Sequence, residues 1–396
     1  MVSRKAGRLA CLDSPPVTRD DSTDGLTRRR LLEALGAAGA GAALGGLPVD
    51  ALAAAARAPA PPFYGQHQAG IVTPAQARLN LAALDVTATS RAELRDLMRA
   101  WSSSAARMCA RERSSHLTLT FGLGPGLFDP ARGFGLAAAR PRGLQQLPPF
   151  PGDALDPAIS GGDLMVQACA GDPSVALRAV QQLVADAGGA ATLRWQQAGF
   201  GRSSSTSRRQ ATPRNLMGFK DGTNNLKAED GAAMRRSVWV GPRDRPAWLR
   251  DGSYLVVRRI RMRLDEWNST PVHRQERVIG RHKRSGAPLG GRREHDPVDL
   301  NAGVSSGNPR IPTDAHIRLA SPHANGGTGI LRRSYNYSDG DADSGLVFLA
   351  FQRHPRQFIA IQHRLGQHDD ALGNFIVHEA SAVFACPPGA RRGGFV

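Results

Sequence analysis

The sequence has few cysteines and few aromatic residues for a chain of 396 residues. None of its four cysteines belongs to a Cys-x-x-Cys pair, so neither a structural zinc site nor a disulfide framework is predicted. Because Cys169 and Cys386 lie in apolar, strand-like segments, we expect them to be core thiols. Aromatic residues make up 6% of the chain and form no RNA-binding signature.

Acidic residues are also scarce, since 34 Asp and Glu face 51 Lys and Arg, which gives a formal net charge of +17. Arginine is spread along the whole chain, and no zinc-finger spacing occurs. We therefore expect no nucleic-acid partner. The positive charge favours anionic substrates by electrostatic steering.

The amino-terminal segment lacks an apolar run long enough to span a membrane. It contains the run TRRRLL at 27–32, a weakly apolar Ala/Gly/Leu stretch and the small-residue triplet ALA at 51–53. This order is typical of an export signal, and the arginines resemble a twin-arginine signal. We expect residues 1–53 to be that signal and 54–62 a linker. The twin-arginine translocation machinery is then a partner, and the mature protein is periplasmic or extracellular.

Hydrophobic periodicity predicts an N-terminal domain over 63–215. Ser90 and Glu93 form a capping box at the start of one helix, and the Asp172-Pro173 pair starts a second. The elements follow the order strand, helix, strand, strand, helix, strand, which predicts a ferredoxin-like domain. The predicted strands are 77–86, 116–124, 162–170 and 191–201.

A C-terminal domain over 216–396 repeats this order less regularly. Its predicted strands are 252–264, 345–353 and 379–389, with helical segments after the first and second. Between them, a Gly/Pro/Asp-rich insertion at 285–337 is predicted to lack regular structure and to be functional. The predicted fold class is α+β, with two ferredoxin-like domains built on antiparallel sheets.

Three residues stand out as candidates for chemistry. Asp221 lies between two glycines in GFKDGTNN (218–225), His316 lies in the insertion, and Arg332 follows sixteen residues later. Together they provide an acid or base, an imidazole ligand and a fixed cation. A haem iron uses this set, with an axial histidine on one side and a proton shuttle and positive charge on the other.

The motifs GFKDGTNN, AHIRLASP and ILRRSYNY resemble those of the dye-decolourising (DyP-type) haem peroxidases, of the exported bacterial branch. The resemblance extends from FYGQHQAGI to ASAVFACPPG and so covers nearly the whole mature chain. It implies one haem b per chain, bound by the second domain near the junction, with His316 as the iron ligand and Arg332 as the distal arginine. It also implies that Asp221 is catalytic and that neighbouring residues bind the cofactor: Gly218, Phe219, Lys220, Gly222 and Thr223.

The resemblance further implies an enzyme that reduces hydrogen peroxide and oxidises dyes, phenolics or other small electron donors through a ferryl porphyrin radical. Asp221 then moves a proton between the two peroxide oxygens, and Arg332 stabilises the developing negative charge. Because an ordinary aspartic acid has a pKa of about 4, we expect an acidic optimum.

Several alternatives stay open on the sequence alone. The protein could instead release iron from haem in iron uptake, as a deferrochelatase-like component, and a homodimer is open as its assembly. Arg333 competes with Arg332, and His323 with His316. The residues left unranked are the carboxylates that could orient the histidine, Asp296, Asp314 and Glu379, and the aromatics that could relay electrons, Tyr254, Trp267, Tyr335 and Tyr337.

Overall fold

The computed structural model describes residues 59–396. The predicted export signal at 1–53, with Cys11, and the first part of the predicted linker lie outside the described residues. The described residues belong to one compact unit, so both predicted domains lie within it. None of the helices in the described part of the chain has the length and apolar character needed to cross a membrane.

The described chain contains both strands and helices. The strands are β1 Arg78–Val86, β2 Thr118–Leu123, β3 Leu164–Ala170, β4 Ala191–Arg202, β5 Ser253–Met262, β6 Leu331–Arg332, β7 Tyr335–Gly340, β8 Asp343–Gln352 and β9 Ile376–Cys386. The helices are α1 Arg91–Arg111, α2 Pro173–Asp186, α3 Gly231–Ser237, α4 Leu264–Ser269, α5 Val272–Ile279, α6 His316–Leu319 and α7 Arg356–Gln367.

The strands form two four-stranded antiparallel arrangements within one sheet. In the first half the order is β2-β3-β1-β4, and in the second it is β7-β8-β5-β9. Both are the strand order of a ferredoxin-like unit, so the predicted fold class is confirmed. The β4–β7 and β2–β9 pairings join the halves at both edges and close the sheet into a ring.

Local sequence signals explain the helices of the first half. The Ser90 hydroxyl accepts from the amide of Glu93 at the start of α1, and the Asp172 carboxylate caps α2 directly before Pro173. Trp101 on α1 is fully buried, stacks on Phe121 of β2 and donates its indole N–H to the carbonyl oxygen of Leu183 at 2.7 Å. The two helices therefore pack together against one face of the sheet.

The second half differs from the prediction in two places. The predicted insertion at 285–337 contains α6, β6 and the start of β7, so the expectation that it lacks regular structure was wrong. The start of β7 does alternate aromatic and polar residues (Tyr335, Asn336, Tyr337 and Ser338), but over only four residues, the shortest run that indicates a strand. The helical segment after β5 is divided into α4 and α5 at Pro271, which cannot continue a helix.

The cysteines of the described chain are core residues, as predicted for two of them. Cys169 and Cys386 have no exposed surface, and burial raises the pKa of the Cys386 thiol. Cys109 is buried in α1, where desolvation raises the pKa of its thiol to about 12. The Cys109 and Cys386 thiols therefore stay protonated at neutral pH.

Candidate active site

The GFKDG segment forms a tight turn between β4 and α3. Gly218 and Gly222 have φ angles of +84° and +94°, a backbone conformation that glycine adopts without strain. A Cβ on Gly222 would lie 2.9 Å from the Cα of Ser204, so the turn packs directly on that backbone. Phe219 is buried edge-on against Trp267 and anchors the turn to the core.

The turn brings the Asp221 carboxylate to Arg332. Nη1 of Arg332 donates to Oδ1 of Asp221 at 2.6 Å, and Nδ2 of Asn215 lies 3.4 Å from Oδ2. The side chains of Asp221 and Arg332 are 15% and 29% exposed. The pair is therefore largely shielded from water but still accessible to a small molecule.

Asn225, the last residue of GFKDGTNN, fixes the backbone of Arg332. Its Nδ2 donates to the Arg332 carbonyl oxygen at 2.8 Å, and its Oδ1 accepts from the Arg332 amide at 2.9 Å. Sequence reasoning missed this residue, although it lies within the quoted motif. The motif thus supplies both the carboxylate and the support for its cationic partner.

Two residues predicted to bind the cofactor have other contacts in the structure. Lys220 forms an ion pair with Glu294, and the Thr223 hydroxyl donates to Oε1 of Glu294 at 3.0 Å. Sequence reasoning did not identify Glu294.

His316 is the first residue of α6, and Asp370 orients its ring. Nδ1 of His316 lies 2.7 Å from Oδ2 of Asp370, whose side chain is 8% exposed and also caps the turn Ala371–Phe375. Burial lowers the pKa of His316, but the Asp370 carboxylate outweighs it and raises the pKa overall. With Nδ1 engaged, the ring has Nε2 for a ligand.

The orienting carboxylate is thus not one of the three considered from the sequence. Asp296 accepts from the amides of Arg292 and Arg293 in its own loop, and Glu379 pairs with Arg259 and Arg261. Asp314 contacts the segment after Asp370 through its backbone, since its carbonyl oxygen accepts from the Ala371 amide at 3.0 Å. Asp370 was missed because it lies 54 residues from His316 in the sequence.

The histidine and the acid–cation pair share one electrostatic environment. The charges of Arg332 and Asp221 both act on the pKa of His316, the cation lowering it and the carboxylate raising it. An imidazole tied to a carboxylate, close to a carboxylate–guanidinium pair, is a donor set that fits a haem iron. Within residues 59–396, no group of three or more His, Cys, Asp or Glu side chains could hold a metal ion.

The residues considered as alternatives to Arg332 and His316 have other positions and contacts. Arg333 is fully buried and donates to the Thr73 carbonyl oxygen and to the Gln76 side chain, not to Asp221. His323 lies exposed in a short turn after α6. The four aromatics considered as electron relays are all buried in the hydrophobic core: Tyr254, Trp267, Tyr335 and Tyr337.

One further pattern is the run GVSSG at 303–307, which matches the Gly-x-Ser-x-Gly motif of serine hydrolases. Ser305 and Ser306 are exposed, and the segment consists of turns. A nucleophile elbow requires a strand before the serine and a helix after it. The run therefore lacks the setting of a hydrolase site.

Comparison with known proteins identifies the family of the chain. Family models described as Dyp-type peroxidase match residues 68–201 (N-terminal) and 212–391 (C-terminal). The chain is 42% identical over 360 residues to a dye-decolorizing peroxidase of Thermobifida fusca, covering 83% of this chain and 82% of that protein. It is 35% identical over 407 residues to a deferrochelatase of Escherichia coli K12, covering 92% and 94%.

Solved structures give the same result. DtpA from Streptomyces lividans, solved as an oxyferrous/water mixed complex, is 42% identical with a TM-score of 0.78, covering 85% of this chain and 96% of that chain. A DyP-type peroxidase from Streptomyces coelicolor is 42% identical with a TM-score of 0.80, covering 89% and 98%. The chain belongs to the DyP-type peroxidase family, whose members are haem peroxidases.

Proposed function

We propose that this haem peroxidase binds iron through His316 and activates hydrogen peroxide with Asp221 and Arg332. The observation that carries the assignment is the 2.6 Å contact between the Asp221 carboxylate and the Arg332 guanidinium. The charges of both side chains act on the pKa of His316, which is paired with Asp370. The site thus combines an oriented imidazole with a proton acceptor and a fixed positive charge.

Each side chain has a distinct task in this proposal. When bound, the haem would supply the iron at which peroxide is reduced. Nε2 of His316 would hold that iron, while Asp370 accepts from Nδ1–H and increases the basicity of the ring. Asp221 accepts a proton from one peroxide oxygen at a carboxylate oxygen and returns it to the other oxygen. Arg332 stabilises the negative charge that develops as the O–O bond breaks.

Further details of the proposal rest on the sequence. We propose one haem b per chain, and dyes or phenolics among the electron donors. Residues 1–53 would direct export through the twin-arginine machinery to the periplasm or the extracellular space, as indicated by the run TRRRLL. A homodimer is the assembly we would test first.

The absorption spectrum of the haem-loaded mature protein tests the proposal. We expect a Soret band that shifts when one equivalent of hydrogen peroxide is added. In His316→Ala, haem should bind more weakly and the band should lose its histidine-ligated character. His323→Ala is the matched control, because that imidazole is exposed, and its spectrum should equal that of the wild type. A normal spectrum in His316→Ala would refute the assigned ligand.

Iron release is the second candidate function, because relatives such as the one from Escherichia coli K12 are named deferrochelatase. It differs from peroxidase activity in one product, metal-free porphyrin. Incubating the haem-loaded protein without peroxide and recording porphyrin fluorescence separates the two. Porphyrin release without peroxide would favour this function, whereas intact haem together with donor oxidation favours peroxidase activity.

Asp370→Asn should weaken the support of the iron ligand. The amide removes the negative charge at Oδ2, so the His316 imidazole becomes a poorer donor, and haem affinity or turnover should fall about 10- to 100-fold. Haem titration and steady-state rates measure the change. The control is Asp369→Asn, which alters the neighbouring exposed carboxylate by the same charge. Equal effects of the two variants would contradict a specific role for Asp370.

A further inference from the structure

Glu294 lies in an exposed basic run but points inward. Its neighbours Arg292, Arg293 and His295 are exposed, whereas the Glu294 side chain is only 13% exposed. Arg281, itself 7% exposed, donates to the Glu294 carbonyl oxygen at 3.1 Å and to that of Gly286 at 2.7 Å. The loop therefore holds this carboxylate in a fixed position.

The carboxylate of Glu294 contacts both sides of the catalytic turn. It pairs with Lys220, which precedes Asp221, and accepts from the Thr223 hydroxyl, which follows Gly222, at 3.0 Å. On its other side, the turn packs at Gly222 against the backbone of Ser204. Asp221 thus projects from a turn that is held from two directions.

Glu294 also pairs with a cation next to Asp221. Lys220 is adjacent to Asp221 in the chain, and its ammonium is neutralised by Glu294. Without that carboxylate, the Lys220 ammonium would have the Asp221 carboxylate as an alternative partner and would compete with Arg332 for it. Burial raises the pKa of Glu294, but hydrogen bonds from Lys220, Thr212 and Thr223 lower it overall, so the charged form persists at neutral pH.

We infer that Glu294 is a positioning residue for the peroxide reaction, which fixes the turn carrying Asp221 and keeps Lys220 away from the Asp221–Arg332 pair. This inference rests on the role proposed above for Asp221. Glu294 acts through Lys220 and Thr223 rather than by contact with peroxide. Misplacing a reacting group by about 1 Å can slow a reaction 100-fold, so the effect of losing this support should be measurable.

Glu294→Gln tests the inference, because it keeps the side-chain shape and removes the charge. In the haem-loaded enzyme, we expect kcat/KM for hydrogen peroxide to fall about tenfold. The KM for the electron donor and the Tm should stay near their wild-type values. A crystal structure of the variant should show that the Asp221–Arg332 contact of 2.6 Å is lost.

Glu276→Gln is the matched control. This substitution removes the same charge from a nearby segment. Glu276 contacts His282 and the Lys283 amide rather than the catalytic turn. It should react with peroxide like the wild type. The inference is overturned if Glu294→Gln keeps the wild-type rate, if both variants are equally slow, or if the rate falls while the Asp221–Arg332 contact remains. Wild-type activity in Asp221→Asn would instead refute the proposed role of Asp221.

Discussion

Asp221→Asn is expected to slow the reaction with hydrogen peroxide about 100- to 10,000-fold, the usual contribution of a positioned acid–base residue. The amide oxygen can still accept from Nη1 of Arg332, so the contact seen at 2.6 Å can persist. An amide cannot take up the peroxide proton, however. The expected loss of rate therefore reports on proton transfer and not on a change in the Asp221–Arg332 contact. It is measured as kcat/KM for hydrogen peroxide at saturating electron donor.

The pH dependence provides an independent test of the same residue. A carboxylate must be deprotonated to accept a proton, whereas the amide of Asp221→Asn does not titrate. The acidic optimum expected from the sequence should therefore disappear in Asp221→Asn. Asp265→Asn, at an exposed carboxylate, is the charge control. A wild-type optimum above about pH 7 would argue against Asp221 as the shuttle.

Local signals predicted the first half of the fold well. The cap at Ser90 and the Asp172-Pro173 pair act within a few residues, and both start helices in the structure. In the second half, β7 was missed because its alternating start is only four residues long, and the strand forms by pairing with β4 and β8. Sheet pairing between distant segments is a tertiary effect that periodicity does not report.

The candidate site shows the same division between local and distant information. GFKDGTNN and Arg332 were recognisable because their residue types form compact motifs. Asp370 and Glu294 were not, since each meets its partner across a long stretch of sequence: 54 residues for Asp370 to His316 and 71 for Glu294 to Thr223. A lone carboxylate in a loop resembles any surface acid. Its function follows only from the fold that brings the partners together.

The adjacent arginines illustrate how the fold assigns different roles to identical residues. Successive side chains of an extended chain point to opposite sides, so Arg332 and Arg333 diverge. Arg332 reaches Asp221 and is 29% exposed, whereas Arg333 is fully buried against Thr73 and Gln76 of the first half. One arginine therefore pairs with Asp221, and the other connects the two halves.

Substitutions at the two positions should separate activity from stability. Arg332→Leu removes the cation that stabilises developing negative charge, so kcat/KM for hydrogen peroxide should fall about 100- to 1,000-fold. Its Tm should change little, because a partly exposed ion pair contributes about 0–1 kcal/mol. Arg333→Met should instead lower the free energy of unfolding by about 1–3 kcal/mol, since it removes the donor to Oε1 of Gln76. It also removes one of two donors to the Thr73 carbonyl oxygen, which keeps the Thr206 hydroxyl.

The measurements are peroxide kinetics per bound haem and thermal unfolding for each variant. Arg333→Met should react with peroxide like the wild type once haem is bound, although it unfolds at a lower temperature. The reverse pattern, with Arg333→Met catalytically slow and Arg332→Leu active, would indicate that Arg333 stabilises the developing negative charge instead. Because both variants remove one positive charge from neighbouring positions, a general electrostatic effect would slow them equally. Only the position of each guanidinium can separate the two outcomes.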